Sequence, residues 1–273
     1  MFVTDKFVYI QMQKTGCSHI ALLLSSLFEG EQIGKHDPAT PEQISRKLRF
    51  ISSVRNPWDW YLSLWTYGVQ GQGGLHDRLT HKHYRKGLRS FHRAPLDKLI
   101  FLMDEVRKDT QPWAEVYQDG QDVALFRRWL QMVHTPDNAV WLGEGYDSSG
   151  LSGVCGFMTY RYLYLCCQTR QNVALTRNIK NIAALEEYDR THCYIDYFIH
   201  QETLEDHLCT ILQDLGSLEE SERDLIYSMQ KTNTSRRPLK ITDYYDQASI
   251  ELVRERDALL IHKFSYQAPD IQN

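Results

Sequence analysis

Apolar positions in this chain fall into short unbroken runs and into stretches with a three-and-four spacing. Phe7-Val8-Tyr9-Ile10 is a four-residue apolar run, rich in aromatic and β-branched residues, and predicts a buried strand. A turn, Gln13-Lys14-Thr15-Gly16-Cys17-Ser18, follows it and opens a helix. A second buried strand is expected over 50–54. Arg55 ends it, Asn56 suits a helix cap, and Pro57 suits the first helical turn. Between the two strands, Thr40-Pro41-Glu42-Gln43 has the pattern of an N-cap, a proline at N1 and a capping-box glutamine, so a short helix is expected there. Further on, the spacing predicts helices over 96–108 and 114–134, the second from Val123, Phe126, Leu130 and Val133. Residues 157–168 are apolar and aromatic enough for a helix or a strand. The final third predicts a strand over 194–199, a helix over 202–215 stopped by Gly216, and helices over 218–230 and 247–260. Gly68 to Gly74 and Asp147 to Gly156 read as loops. Strands alternating with helices imply an α/β class with a parallel sheet and crossover helices.

Composition narrows the picture little. A chain of 273 residues can bury a substantial core as one domain, 1–273, and nothing in it requires two. A formal charge of −4 argues against a general nucleic-acid coat. No run approaches the roughly 18–20 apolar residues of a membrane span, so none is expected. Cys17, Cys155, Cys166, Cys167, Cys193 and Cys209 have no zinc spacing and mostly apolar neighbours, which suits free thiols in a reducing compartment; a cytoplasmic location is the expectation.

The chemistry concentrates at the ends of the two first strands. Strand, glycine-containing turn and helix N-terminus form an anion pocket, because unpaired backbone N–H groups and the helix dipole point at one place. Lys14 adds a full charge and Ser18 a hydroxyl. The turn is not a Walker A loop, since its lysine precedes the glycine. At the second strand, Arg55 at the carboxyl end and Ser63, eight residues on and about two helical turns away, are spaced to meet on a second phosphate.

These residues resemble the sulfotransferases that use 3′-phosphoadenosine 5′-phosphosulfate (PAPS), in particular the carbohydrate-type "sulfotransfer-2" branch. Lys14-Thr15-Gly16-Cys17-Ser18 is similar to that family's 5′-phosphosulfate loop, and Val54-Arg55-Asn56-Pro57 with Ser63 to its 3′-phosphate motif. Tyr194 to Ile199 with Gln201 to Leu204, Lys231 to Arg237, Tyr244-Tyr245-Asp246 and Lys263-Phe264-Ser265-Tyr266 are similar to later segments of that branch. The chain departs from the pattern at Gln13, Cys17, His19 and Trp60. The resemblance implies a P-loop-like three-layer fold, a central parallel sheet flanked by helices. Residues 68–190 would be a variable, mostly helical insertion on the acceptor side.

It also implies transfer of a sulfuryl group from PAPS, leaving 3′-phosphoadenosine 5′-phosphate (PAP), to a hydroxyl or less readily an amine. The expected partner is a carbohydrate or small-molecule acceptor, with neither nucleic acid nor a metal required. Lys14 would be catalytic, and Lys14, Thr15, Gly16, Cys17, Ser18, Arg55 and Ser63 would bind the cofactor. Asn233, Ser235 and Arg236, in a polar basic loop with Thr232 and Arg237, would close over it. His36, in Gly34-Lys35-His36-Asp37, lies between the two motifs where the branch often has a Lys-His pair, and is the expected general base. Asp37 is a candidate to orient it, and Glu202 a weaker candidate base.

Several patterns stand apart. His76, His81, His83 and His92 with Arg78, Lys82, Arg85, Lys86, Arg89 and Arg93 suit a solvated helix face, an acceptor groove for an anion, or, least well, a metal site. Gly143, Gly145, Gly150, Gly153 and Gly156 follow no expected strand, which excludes a dinucleotide fingerprint. The competing functions are a P-loop nucleotide kinase and a non-catalytic nucleotide- or partner-binding protein. Oligomeric state is left open.

Overall fold

Five strands form one sheet: β1 (Phe2–Val3), β2 (Phe7–Ile10), β3 (Glu31–Gln32), β4 (Arg49–Val54) and β5 (Tyr197–His200), in the order β3-β1-β2-β4-β5. The computed structural model describes residues 1–84, 95–230 and 237–271. β2, β4 and β5 run parallel, with Tyr9 opposite Ile51 and Ser52 opposite Phe198. β1 is antiparallel to both β2 and β3, so the sheet is mixed where a parallel one was expected. The cause is local. Only Thr4 to Lys6 separate β1 from β2, too few for a crossover, and Thr4 Oγ1 closes the turn by bonding the amide and the carbonyl of Phe7, each at 2.9 Å.

The helices needed below are α1 (Cys17–Leu27), α2 (Pro41–Ser45), α3 (Pro57–Val69), α4 (Gly74–Thr80), α5 (Val123–His134), α6 (Phe157–Cys166), α7 (Ile182–His192), α8 (Leu204–Asp214), α9 (Gln247–Arg256) and α10 (Ala258–Phe264). Strand alternation sorts the core onto two faces. Phe7, Tyr9, Ile51 and Ile199 pack with Ile20, Leu23 and Leu24 of α1 and Leu204, Leu208 and Leu212 of α8. Val8, Ile10 and Phe50 face the larger cluster, built on Trp58, Tyr61 and Trp65 of α3, Trp129 of α5 and Phe157 of α6. Helices thus cover both faces of a mixed α/β sheet. Among the described residues, no helix is long and apolar enough to cross a membrane.

Local signals hold where they are strongest. α2 has its capping box, with Thr40 accepting from the Gln43 amide, and α3 is capped by Asn56 with Pro57 at its first turn. Elsewhere the expected bounds move. The 114–134 helix is two pieces, Gln111–Glu115 and α5, because Asp122 caps α5 by accepting from the Ala124 amide at 2.9 Å. The 157–168 segment is the helix α6. The strand expected from 194 begins at Tyr197, since the Tyr194 amide is held by the Cys166 carbonyl at 3.0 Å instead of a ladder partner. α3 runs on to Val69 and α4 starts at Gly74, which shortens the expected 68–74 loop. The 247–260 helix breaks at Asp257, whose buried carboxylate accepts from the Thr159 amide at 2.9 Å and so caps the N-terminus of α6.

Candidate functional site

A cleft of about 820 Å³ opens at the carboxyl ends of β2 and β4. It is lined by Lys14, Gly16, Cys17 and Ser18 from the turn after β2, by Arg55 and Ser63 from the β4–α3 unit, and by Lys35 and His36 from the loop between β3 and α2. The two anion motifs expected from sequence therefore share one cavity with the expected base. Arg237, Arg78, Arg161 and Glu144 complete the charged lining.

The turn after β2 is held from outside the cleft. Thr15 is fully buried, and its hydroxyl donates to the Met12 carbonyl at 2.8 Å and pairs with Ser53 Oγ at 2.6 Å. Its side chain is a strut of the turn and does not line the cleft, unlike the cofactor contact expected of it. Trp60, the odd residue of α3, donates Nε1–H to the Gln13 carbonyl at 2.6 Å and so clamps the turn to the helix. Gly16 takes φ 79°, a left-handed conformation that suits glycine, and an added Cβ there would sit 2.9 Å from Leu204 Cδ1. With Gly16 as N-cap, α1 leaves the amides of Gly16 and Cys17 without an acceptor among the described hydrogen bonds, while the Ser18 amide bonds the Cys17 sulfur. Cys17 packs inward, and burial pushes its thiol pKa up. Ser18 Oγ accepts from Lys35 Nζ at 3.0 Å.

Lys14 is half-buried, with Nζ 3.8 Å from the centroid of the Tyr67 ring. Burial, then the neighbouring charges of Arg55 and Arg237, pull its pKa down to about 8. Arg55 Nε donates to Asp59 at 2.6 Å, its Nη2 pairs with the same carboxylate, and Nη1 reaches the Lys14 carbonyl at 3.1 Å. Arg237 binds the other oxygen of Asp59. Burial opposes the Asp59 charge, but the two guanidinium groups outweigh it and hold that carboxyl below its usual range. One aspartate thus organises two arginines whose charges it only half cancels, and each keeps N–H groups for a ligand. Ser63, 2% exposed, lies on the same wall.

His36 donates Nδ1–H to the Gln11 carbonyl at 2.8 Å, which leaves Nε2 as the basic nitrogen. Burial lowers its pKa from the usual 6.5, with Lys35 and Arg161 adding to that effect. The orienting partner is therefore Gln11, whereas Asp37, expected to orient the ring, is exposed. Glu202 is not placed as a base, since its Oε1 accepts from the Asn56 amide at 2.7 Å and braces the start of α3.

Sequence reasoning missed the wall opposite the turn. Arg161 on α6 is 4% exposed and grips Glu144 with Nε at 3.1 Å and Nη2 at 2.7 Å, while its guanidinium lies 4.4 Å from the Phe157 centroid. Arg78 of α4 bonds the Leu142 carbonyl and feels the Glu144 charge. Of the basic and histidine run, His76 and Arg78 line the cleft. His83 pairs with Asp77 outside it at 3.3 Å, and Arg85, Lys86, Arg89, His92 and Arg93 lie outside the described residues, as do Asn233, Ser235 and Arg236.

Backbone strain marks the same place. Five described non-glycine residues have positive φ, and three of them, Lys14 (62°), His36 (61°) and Glu144 (61°), line this cleft. Such positions cost on the order of 1 kcal/mol or more each and persist where the surroundings dictate them. Glu144 lies between Gly143 and Gly145, both also at positive φ, so the chain arches to deliver its carboxylate. Six cations from the described residues line a cleft in a chain of net charge −4, against the single lining carboxylate of Glu144. The lining of the cleft thus carries more positive than negative charge. No protein-family model, curated protein or solved structure matches the chain, so the reading of the cleft rests on its own geometry.

Proposed function

We propose that the protein is a PAPS-dependent sulfotransferase of P-loop-like three-layer architecture, passing a sulfuryl group to a hydroxyl, or less readily an amine, of a carbohydrate or small-molecule acceptor. The observation that carries this reading is the pairing of two separate anion sites at adjacent parallel strand ends. At one, Lys14 stands beside the free amides of Gly16 and Cys17; at the other, Arg55 and Arg237 bracket Asp59, with Ser63 lining the same cleft. Ligands of open α/β sheets bind outside the carboxyl ends of such strands. A nucleotide with phosphate on both the 3′ and 5′ positions needs two sites of this kind.

In that reading Lys14 and the turn amides stabilise charge growing on the leaving phosphate and the moving sulfuryl oxygens, as in phosphoryl transfer, where positioning and electrostatics supply most of the catalysis. Arg55, Arg237 and Ser63 take the 3′-phosphate. His36, with Nε2 free to accept, removes the acceptor proton. All six cysteines are free thiols, which suits the cytoplasm.

Calorimetric titration with PAP, with 5′-AMP and with ATP–Mg²⁺ tests the proposal. PAP should bind much more tightly than 5′-AMP. Equal affinity for the two removes the 3′-phosphate site from the argument, and a preference for ATP–Mg²⁺ transfers it to the kinase reading.

A further inference from the structure

Away from the cleft, the carboxyl ends of α6 and α7 bring two cysteines together. Cys167 is the C-cap of α6 and Cys193 the C-cap of α7. Their sulfurs and a carboxylate oxygen of Asp189 all lie within 4.8 Å of one another. Cys167 Sγ donates to Asp189 Oδ1 at 3.4 Å, Tyr162 donates its hydroxyl to the same oxygen at 2.6 Å, and Cys193 Sγ is 3.4 Å from that hydroxyl. Lys263 of α10 enters from the C-terminal side, with Nζ 2.7 Å from both Asp189 Oδ2 and the Tyr162 hydroxyl.

Two cysteines and a carboxylate at this separation invite a metal-site reading, but the Lys263 ammonium already supplies the cation that Asp189 requires. The cluster is instead an asymmetric thiol pair. Cys167 is fully buried, with its S–H directed at a carboxylate; burial, aided by neighbouring thiols and Asp189, pushes its pKa up. Cys193 is partly exposed. The Cys167 S–H lies within reach of both Asp189 and Cys193; turned to Cys193 it lowers that thiol's pKa to about 6 against the opposing effect of burial, and the Lys263 charge adds to the lowering.

We infer that Cys193 and Cys167 form an oxidation site for hydroperoxides, in which Cys193 is the attacking thiolate and Cys167 the resolving thiol. Cys193 Sγ attacks the terminal peroxide oxygen, the O–O bond breaks, and the other oxygen takes a proton from solvent and leaves as water from hydrogen peroxide, or as an alcohol from an organic hydroperoxide, so that Cys193 becomes a sulfenic acid. Cys167 then attacks that sulfur, its proton passes by way of Asp189 to the departing sulfenic oxygen, the S–O bond breaks, and that oxygen leaves as water. One peroxide is reduced by two electrons and one dithiol is oxidised to a disulfide. The carboxylate on Cys167 and the ammonium near Cys193 give the two sulfurs these distinct roles.

The test exposes the intact protein to one equivalent of hydrogen peroxide, blocks remaining thiols with N-ethylmaleimide and maps non-reduced peptides by mass spectrometry. The expected result is a Cys167–Cys193 bridge, loss of two of the six free thiols, and their return with dithiothreitol. Cys167→Ser should leave a Cys193 sulfenic acid that dimedone traps, and Cys193→Ser should abolish both products. On untreated wild-type protein, which needs no variant to fold, the pH profile of Cys193 alkylation by iodoacetamide should have its midpoint near 6. Lys263→Met should move that midpoint upward. A bridge from Cys166, resistance of both thiols to peroxide that oxidises them in urea, or an alkylation midpoint at the ordinary cysteine value overturns the inference.

Discussion

The charge on Lys14 links pH to ligand affinity, and the structure sets the size of the link. Burial and the nearby Arg55 and Arg237 hold its pKa at about 8 in place of 10.5. An anion seated against the ammonium favours the charged form and returns the pKa towards its ordinary value. A full return from about 8 to 10.5 corresponds to about 3.4 kcal/mol, roughly 300-fold in affinity. The sign follows from proton counting. Below pH 8 the lysine is charged both before and after binding, so affinity is flat. Above pH 8 the free protein must take up a proton to bind, and affinity falls about tenfold per pH unit until the pKa of the complex is reached. Calorimetry with PAP from pH 7 to 10.5 measures this, starting above the second phosphate ionisation near 6. Buffers of two ionisation enthalpies should report proton uptake approaching one between the limits. Lys14→Met should bind more weakly at pH 7 and lose the slope. A wild-type affinity constant from pH 7 to 10, or a slope that survives in Lys14→Met, refutes the placement of Lys14 against the ligand.

Other consequences are as direct. Arg55→Ala should cut the preference for PAP over 5′-AMP by about ten- to a hundredfold in calorimetry, the cost of a charged hydrogen bond of roughly 1.5–3 kcal/mol. His36→Ala should lower turnover by ~10²–10⁴-fold with PAP affinity near wild type. Because burial lowers its pKa, the wild-type acidic limb should have its midpoint below 6.5, and the variant should lose that limb in a pH–rate profile. Gly16→Ala should destabilise by about 1–2 kcal/mol in urea unfolding, through its left-handed φ and the approach to Leu204, and should weaken PAP binding as the turn shifts.

What the sequence made legible was local. Phe7 to Ile10 form the predicted strand because four consecutive apolar residues have a sheet to enter, and Thr40 and Asn56 cap as their neighbours imply. Lys14, Arg55, Ser63 and His36 come together in one cleft, as their places in the sequence imply, because each sits at a strand end, on the helix it opens, or in the loop between, where spacing in the chain tracks spacing in the fold. Glu144 and Arg161 were not legible in this way, since their pairing joins a glycine arch to a helix seventeen residues on and has no periodic signature. The break at Asp257 was hidden for the same reason. Its carboxylate is held by Tyr61 and Thr159, far away in sequence, and these partners outweigh the helical pattern around it. The split of the 114–134 helix was readable in principle from Asp119, Gly120 and Asp122, an N-cap and turn cluster inside an apolar period.

The left-handed backbone at Lys14, His36 and Glu144 bears on how this protein responds to selection for heat resistance. Glycine relieves a conformation that L-residues adopt reluctantly, so a library screened only for survival at high temperature should enrich for Lys14→Gly, whereas Glu144→Gly would strand the buried guanidinium of Arg161 and should be depleted. Replacing Lys14 also removes a half-buried charge. The hardiest molecules from such a screen should keep the fold while losing a cation from the cleft, so that stability and the charge of its lining would trade against each other at Lys14.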